Sequence, residues 1–300
     1  MNSLNLHGTI TALVTPFNKR GEIDFKVLKK LIDNQIENKI DGIVIGGSTG
    51  ESATLTTKEK QALIIKAIEF ADRKVSIIAG TGSNETETTL GMSLFAKEHG
   101  ADAVLVVAPY YNKPPQLGLY EHFRVIANNI EIPVILYNVP GRTGINIKPE
   151  TQLKLAEECP NIIATKEASG DLTQMMEIIR NAPEGFVLLS GDDTLTLPVI
   201  SIGGKGVISV ISNYAPEQFG KMVKLALKGQ YDKAREVHYS LFELMELDFI
   251  ESNPIPVKYI MSLFKLCSDV VRMPLLPLQN NNRQILRKAL ENAGFLKSTK

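Results

Sequence analysis

Eight apolar runs of strand length, near-continuous in Val, Ile and Leu, constrain this chain more than any other feature. They are TITALVTPF at 9–17, GIVIGG at 42–47, VSIIAGTG at 75–82, AVLVVAP at 103–109, PVILYNV at 133–139, IIATKEA at 162–168, FVLLSGD at 186–192 and GVISVIS at 206–212. Stretches with helical periodicity separate them, among them Phe25–Glu37, Lys58–Ala71, Thr86–Glu98 and Glu217–Leu227. Strands without polar alternation are covered on both faces, as in a parallel sheet flanked by helices. Eight strand–helix units of about 30 residues fit an α/β fold of the TIM-barrel type, a (β/α)8 barrel. A doubly wound sheet is the rival. It typically has fewer strands and a phosphate-cradling glycine turn after the first, whereas here the first run ends in Thr15-Pro16-Phe17.

Beyond residue 229 the pattern changes. Segments 231–249, 254–266 and 280–293 read as helices, interrupted by Asn253-Pro254, Pro256, Pro274 and Pro277, with no further strand. The expected organisation is a catalytic barrel at 1–229 followed by a C-terminal helical region at 230–300.

The 300 residues are 44% hydrophobic, enough for a large core, and 33 basic residues balance 33 acidic ones. Without a basic stripe, a nucleic-acid or anionic-membrane surface is disfavoured, and small polar metabolites are the natural partners. The segment MNSLNLHGTITALVTPF lacks a basic stretch leading into an apolar core, and no apolar run approaches the ~20 residues that cross a bilayer. Cys159 and Cys267 lie far apart, and His7, His99, His122 and His238 are scattered without ligand spacing. A cytoplasmic, metal-free protein is the expectation.

Lys166 stands at the end of the apolar strand Ile162-Ile163-Ala164-Thr165. A buried lysine tends to lose its proton, and a neutral amine attacks carbonyl carbon, so this position is a Schiff-base candidate. The bland alternative is a side chain snorkelling out at the strand's end. Active sites of such barrels lie at the C-terminal ends of the strands. There the chain offers Gly46-Gly47-Ser48-Thr49-Gly50-Glu51, Tyr110-Tyr111-Asn112, Tyr137, Arg142, Lys166 and Gly191-Asp192-Asp193. Tyr137 and Lys166 fall on neighbouring strands, where a phenol beside an amine can shuttle protons during imine formation. The glycine-rich turn suits a carboxylate nest or is simply a tight turn; it is no P-loop, because no Gly-Lys-Ser/Thr follows. Tyr110 and Tyr111 read equally as interface aromatics. Arg142 is either a carboxylate clamp or a surface charge, and Asp192 and Asp193 are expected to cap the next helix.

Across nearly its full length the sequence resembles the pyruvate-dependent class I aldolases, and among them the dihydrodipicolinate synthase family. The resemblance runs through GGSTGESATL at 46–55, AGTGSNET at 79–86, PYYNKP at 109–114, YNVPGRTG at 137–144, KEASGD at 166–171, LSGDD at 189–193, GGKGVISV at 203–210 and ESNPIPVK at 251–258. It implies a Schiff base between Lys166 and pyruvate, with no other cofactor. Tyr137 is then the proton donor and acceptor, relayed through Ser48 and a neighbouring subunit's Tyr111. Thr49, Gly191 and the main chain around Ile208 contact substrate, and Arg142 fixes the carboxylate of L-aspartate 4-semialdehyde. It further implies a homotetramer built as a dimer of dimers, with a role in lysine and diaminopimelate biosynthesis.

Two departures stand out. Ser48 occupies a position usually held by threonine, which keeps the hydroxyl and loses the methyl that restricts its rotamer. Of the effector-site positions, Ser52, Ala53, Asn84 and Tyr110 match lysine-inhibited relatives. Lys60 replaces a histidine and Thr88 a glutamate, and Glu87 lies on a different helix face, so weak or absent inhibition by L-lysine is expected. The alternatives are a 2-keto-3-deoxy sugar-acid or N-acetylneuraminate aldolase, which generally lacks an arginine at position 142, and a non-catalytic small-molecule-binding barrel. A metal-dependent class II aldolase is disfavoured by the histidine spacing.

Overall fold

A computed structural model describes residues 6–297. Eight parallel strands close into a barrel in sequence order, with the last pairing to the first. Strands and helices alternate as β1 (Gly8–Ala12), α1 (Phe25–Glu37), β2 (Gly42–Ile45), α2 (Thr57–Ala71), β3 (Ser76–Gly80), α3 (Thr86–Glu98), β4 (Ala103–Val107) and α4 (Gln116–Asn129). They continue through β5 (Val134–Asn138), α5 (Pro140–Thr143), α6 (Pro149–Glu158), β6 (Ile162–Glu167), α7 (Leu172–Asn181), β7 (Val187–Ser190), α8 (Thr196–Ser201), β8 (Gly206–Ser209) and α9 (Pro216–Leu227). Three further helices, α10 (Tyr231–Leu247), α11 (Ile255–Leu263) and α12 (Asn280–Asn292), follow the last strand. This is the (β/α)8 barrel that the apolar runs predict, and closure excludes the doubly wound rival.

Alternation along the strands sorts the side chains into two layers. Ile10, Val44, Ile78, Leu105, Ile135, Ala164, Leu189 and Ile208 fill the barrel interior. Val104, Val106, Val134, Leu136 and Leu188 face outward against helices, beside Phe123, Leu155 and Met175. Local signals set the helix starts: Asp24 caps α1 by accepting from Val27 N at 3.0 Å, and Thr56 and Glu59 form a reciprocal capping box on α2.

The first apolar run overstates its strand. β1 stops at Ala12, and Leu13, Val14 and Phe17 are apolar because they pack under Leu241, Leu244, Met261 and Leu290 of the C-terminal helices. No helix of the described residues is long and apolar enough to cross a membrane.

Candidate active site

The pair at the centre of the site is set by strand register. In β6 an irregularity opposite Val134 and Ile135 moves the pairing on by one residue, so Val134 lies opposite Ile162 but Ile135 opposite Ala164. From there Tyr137 falls opposite Lys166, and Asn138 opposite Glu167. Regular pairing onward from Val134 and Ile162 would set Tyr137 opposite Thr165 and turn the lysine to the other layer. As built, Lys166 Nζ lies 4.3 Å from the centre of the Tyr137 ring, and both residues are only 6% exposed. Among the described residues neither the Lys166 amine, the Tyr137 phenol nor the Ser48 hydroxyl is engaged in a hydrogen bond.

A cavity of about 320 Å³ opens beside them, lined by Ser48, Tyr110, Tyr137 and Arg142 together with Ser52 and Ala53. Such a volume suits small ligands. Lys166 is not part of this wall; its neighbour Tyr137 is. Asn253, Pro254 and Pro274 from the C-terminal region close the cavity's far side.

The turn after β2 is shaped by backbone and anchored at both ends. Gly46 has φ +69°, and a Cβ placed on Gly80 would stand 2.6 Å from the Gly46 carbonyl, so the turn needs glycine at both places. Thr15 Oγ1 donates to the Gly50 carbonyl at 2.6 Å. Thr49, buried, accepts from Asn253 Nδ2 at 2.9 Å. Glu51, φ +56°, is held by an ion pair with Lys258 of α11, and its second oxygen accepts from Arg272 N at 3.0 Å. Burial pushes the Lys258 ammonium down from the usual lysine range, against the opposing pull of Glu51. Arg272 also grips Glu59 of α2 through its two terminal guanidinium nitrogens, at 2.5 and 3.0 Å, and holds that carboxyl down at about 2.

Arg142 sits on the single turn α5 after β5, exposed and facing the cavity, with Nη2 3.5 Å from the Asn253 carbonyl and no acidic partner among the described residues. Gly191 packs against the end of β6: a Cβ there would lie 2.6 Å from that of Ala168, so glycine alone allows β7 to approach. Ile208 is buried in β8 opposite Ile10. Asp192 and Asp193 do not cap α8. Asp192 instead accepts from Thr194 N at 2.8 Å, and Asp193 takes Val210 N and Ile211 N at 2.9 and 2.8 Å, latching β7 to the end of β8. Burial pushes the Asp193 carboxyl up to about 6.

Other expected positions lie apart. Tyr111 is 90% exposed, with φ +73°, and is not part of the cavity wall that Ser48 and Tyr137 share. Lys60 is half-buried on α2 and lies outside the cavity wall, with burial lowering its ammonium from the usual range. Thr88 is exposed in the first turn of α3, where its N–H donates to Glu85. The Asn84 carbonyl accepts from Asn112 Nδ2 at 2.8 Å. Asn253, Lys258 and Arg272 leave no local sequence signal, because they belong to segments far along the chain and only the fold brings them to the turn.

A profile of the Dihydrodipicolinate synthetase family matches residues 5–293. The chain belongs to that family. A 4-hydroxy-tetrahydrodipicolinate synthase of Methanococcus vannielii is 50% identical over 292 residues, covering 97% of this chain and all of that one. The crystal structure of dihydrodipicolinate synthase from Aquifex aeolicus superposes with a TM-score of 0.95 at 44% identity, over 98% of this chain and 100% of the other. The family's enzyme from Cyanidioschyzon merolae, solved with lysine bound, superposes with a TM-score of 0.94 at 44% identity, over 97% and 99% of the two chains.

Proposed function

We propose that the chain is a lyase that condenses pyruvate with L-aspartate 4-semialdehyde to give 4-hydroxy-tetrahydrodipicolinate, in lysine and diaminopimelate biosynthesis. The observation that carries this reading is the register that sets Tyr137 opposite Lys166, with the amine against the phenol ring and a small cavity alongside. Full-length similarity to 4-hydroxy-tetrahydrodipicolinate synthases supports it.

The Lys166 amine attacks C2 of pyruvate and water leaves, giving an imine that draws electrons from the methyl group. Loss of a methyl proton gives the enamine, whose carbon attacks the aldehyde of the semialdehyde; the substrate's amine then displaces lysine as the ring closes. Tyr137 moves protons above the imine. Thr49, Gly191 and the main chain at Ile208, which lie outside the wall of the 320 Å³ cavity, are assigned to pyruvate on the family resemblance, and Arg142, which faces the cavity without an acidic partner among the described residues, takes the semialdehyde carboxylate. No cofactor is required, because the lysine imine is itself the electron sink.

The exposed Tyr111 reads as a residue given to another subunit, where it meets Ser48 and Tyr137 across an interface. Its φ of +73° fits a side chain held in place for a function beyond its own chain. This reading requires at least a dimer, and the family resemblance extends it to a homotetramer built as a dimer of dimers. A cytoplasmic location is part of the proposal, in keeping with two free, buried cysteines. At the effector positions, Thr88 offers no carboxylate and Lys60 adds a cation, so lysine binds weakly or not at all.

The deciding experiment is turnover of pyruvate with L-aspartate 4-semialdehyde, read through an NADPH-dependent reductase acting on the product. Rapid turnover that is lost in Lys166→Ala supports the whole reading. If pyruvate is trapped on Lys166 by borohydride but the semialdehyde is not used, the substrate moves to a sugar acid.

A further inference from the structure

We propose that Glu167 is a positioning residue for the Lys166–Tyr137 pair, acting from the opposite layer of the barrel wall; this rests on the reading of Lys166 as the imine-forming lysine. Glu167 is fully buried. Its carboxylate accepts from Asn138 Nδ2 at 3.0 and 3.1 Å, from Ser169 N at 2.9 Å, from Gln152 Nε2 of α6 at 3.0 Å and from Gln174 Nε2 of α7 at 3.1 Å. Its hydrogen-bond partners among the described residues are all neutral amides. A buried carboxyl met by neutral amides is a poor way to stabilise a core, since well-packed apolar side chains of similar volume often do as well or better. Its placement gives it another use.

Lys166 and Glu167 are adjacent on β6, Tyr137 and Asn138 adjacent on β5, and the register sets the two pairs opposite each other. The Glu167–Asn138 hydrogen bonds therefore cross-link the two strands one residue from the reacting groups. Rotation of either strand end that swings Lys166 away from Tyr137 must break them. The same cluster reaches Arg142's neighbourhood. Asn138 Nδ2 also donates to Asn146 Oδ1 at 2.6 Å, Asn138 Oδ1 accepts from Ile147 N at 2.9 Å, and Asn146 Nδ2 donates to Gln174 Oε1 at 2.8 Å. The segment that leaves α5 is thus tied to the carboxylate behind the lysine. Misplacement of a reacting group by about 1 Å can cost a hundredfold in rate, the scale on which such bracing matters.

The test is the rate at which borohydride traps pyruvate on Lys166, located by peptide mass, in wild type, Glu167→Gln and Glu167→Ala, with the thermal midpoint of each. The expected result is trapping slowed about a hundredfold in Glu167→Ala, with Glu167→Gln between it and wild type because it keeps the shape and one acceptor oxygen. Turnover should lose kcat more than it raises KM for pyruvate. A purely structural carboxylate would lower the midpoint and leave trapping well below that temperature unchanged, and that result overturns the proposal. If Glu167→Ala does not fold, Gln174→Ala decides: slowed trapping in a folded protein supports the bracing role, and wild-type trapping refutes it. Absence of trapped pyruvate on wild-type Lys166 would instead overturn the active-site assignment, and this proposal with it.

Discussion

Ser48 and Glu59 show how single side chains near the turn divide between chemistry and anchoring. The half-buried Ser48 hydroxyl lines the cavity and makes no hydrogen bond among the described residues. Its proposed place in the proton relay predicts that Ser48→Ala lowers kcat by about ten- to a hundredfold with little change in KM; unchanged turnover would remove it from the relay. Glu59 is an anchor, held at about 2 by Arg272 against an ordinary 4.5. Because its folded value is depressed, its contribution is present above pH 4.5 and is lost as pH falls toward 2. That contribution amounts to about 2 kcal/mol, allowing for partial exposure. Urea midpoints of wild type and Glu59→Gln should therefore differ at pH 6 and converge toward pH 2.

At the scale of elements, the turn after β2 hangs on helices that lie far from it in sequence. Lys258 of α11 reaches Glu51, donates to the Val270 carbonyl at 2.9 Å and lies 4.1 Å from the Phe17 ring centre. Lys258→Met strands the Glu51 carboxylate in a dry site and should cost about 3–5 kcal/mol, measured by denaturant unfolding, with a loss of turnover as Ser48 and Thr49 shift. The double variant Glu51→Gln/Lys258→Met should recover most of the stability, since no lone charge remains. Much of the element plan is legible in sequence. Phe25–Glu37 and Thr86–Glu98 coincide with α1 and α3, while 231–249, 254–266 and 280–293 overrun α10, α11 and α12 by one to three residues at their ends. Helix ends are where periodicity carries least information. The run 9–17 is misread for a different reason: its second half is apolar to pack against α10–α12, not to pair in the sheet.

For the whole molecule, the matter at stake is what the protein responds to and whether one chain suffices. In the proposed reading, exposed Tyr111 and the effector positions are completed by a second subunit, so catalysis and regulation would both depend on assembly. If lysine is bound at these proposed positions, Thr88 offers no carboxylate and Lys60 adds a cation against the ligand ammonium. Turnover at saturating pyruvate should persist in millimolar L-lysine, and half-inhibition at submillimolar concentration would refute the assignment of Lys60 and Thr88.

The sequence by itself determined the barrel, because strands apolar on both faces must be covered by helices on one side and by each other on the other. It also determined which residues stand at the strand ends: Lys166, Tyr137, Arg142 and the 46–51 turn can be read directly from where the apolar runs stop. Only the tertiary structure decided which of these meet. The one-residue shift in β6 that sets Lys166 opposite Tyr137 leaves no mark in the period of an unbroken apolar run. The partners of Glu51, Thr49 and Glu167 come from segments up to 221 residues away. Such contacts depend on closure of the barrel and the return of the last helices over its mouth, and no local pattern encodes them.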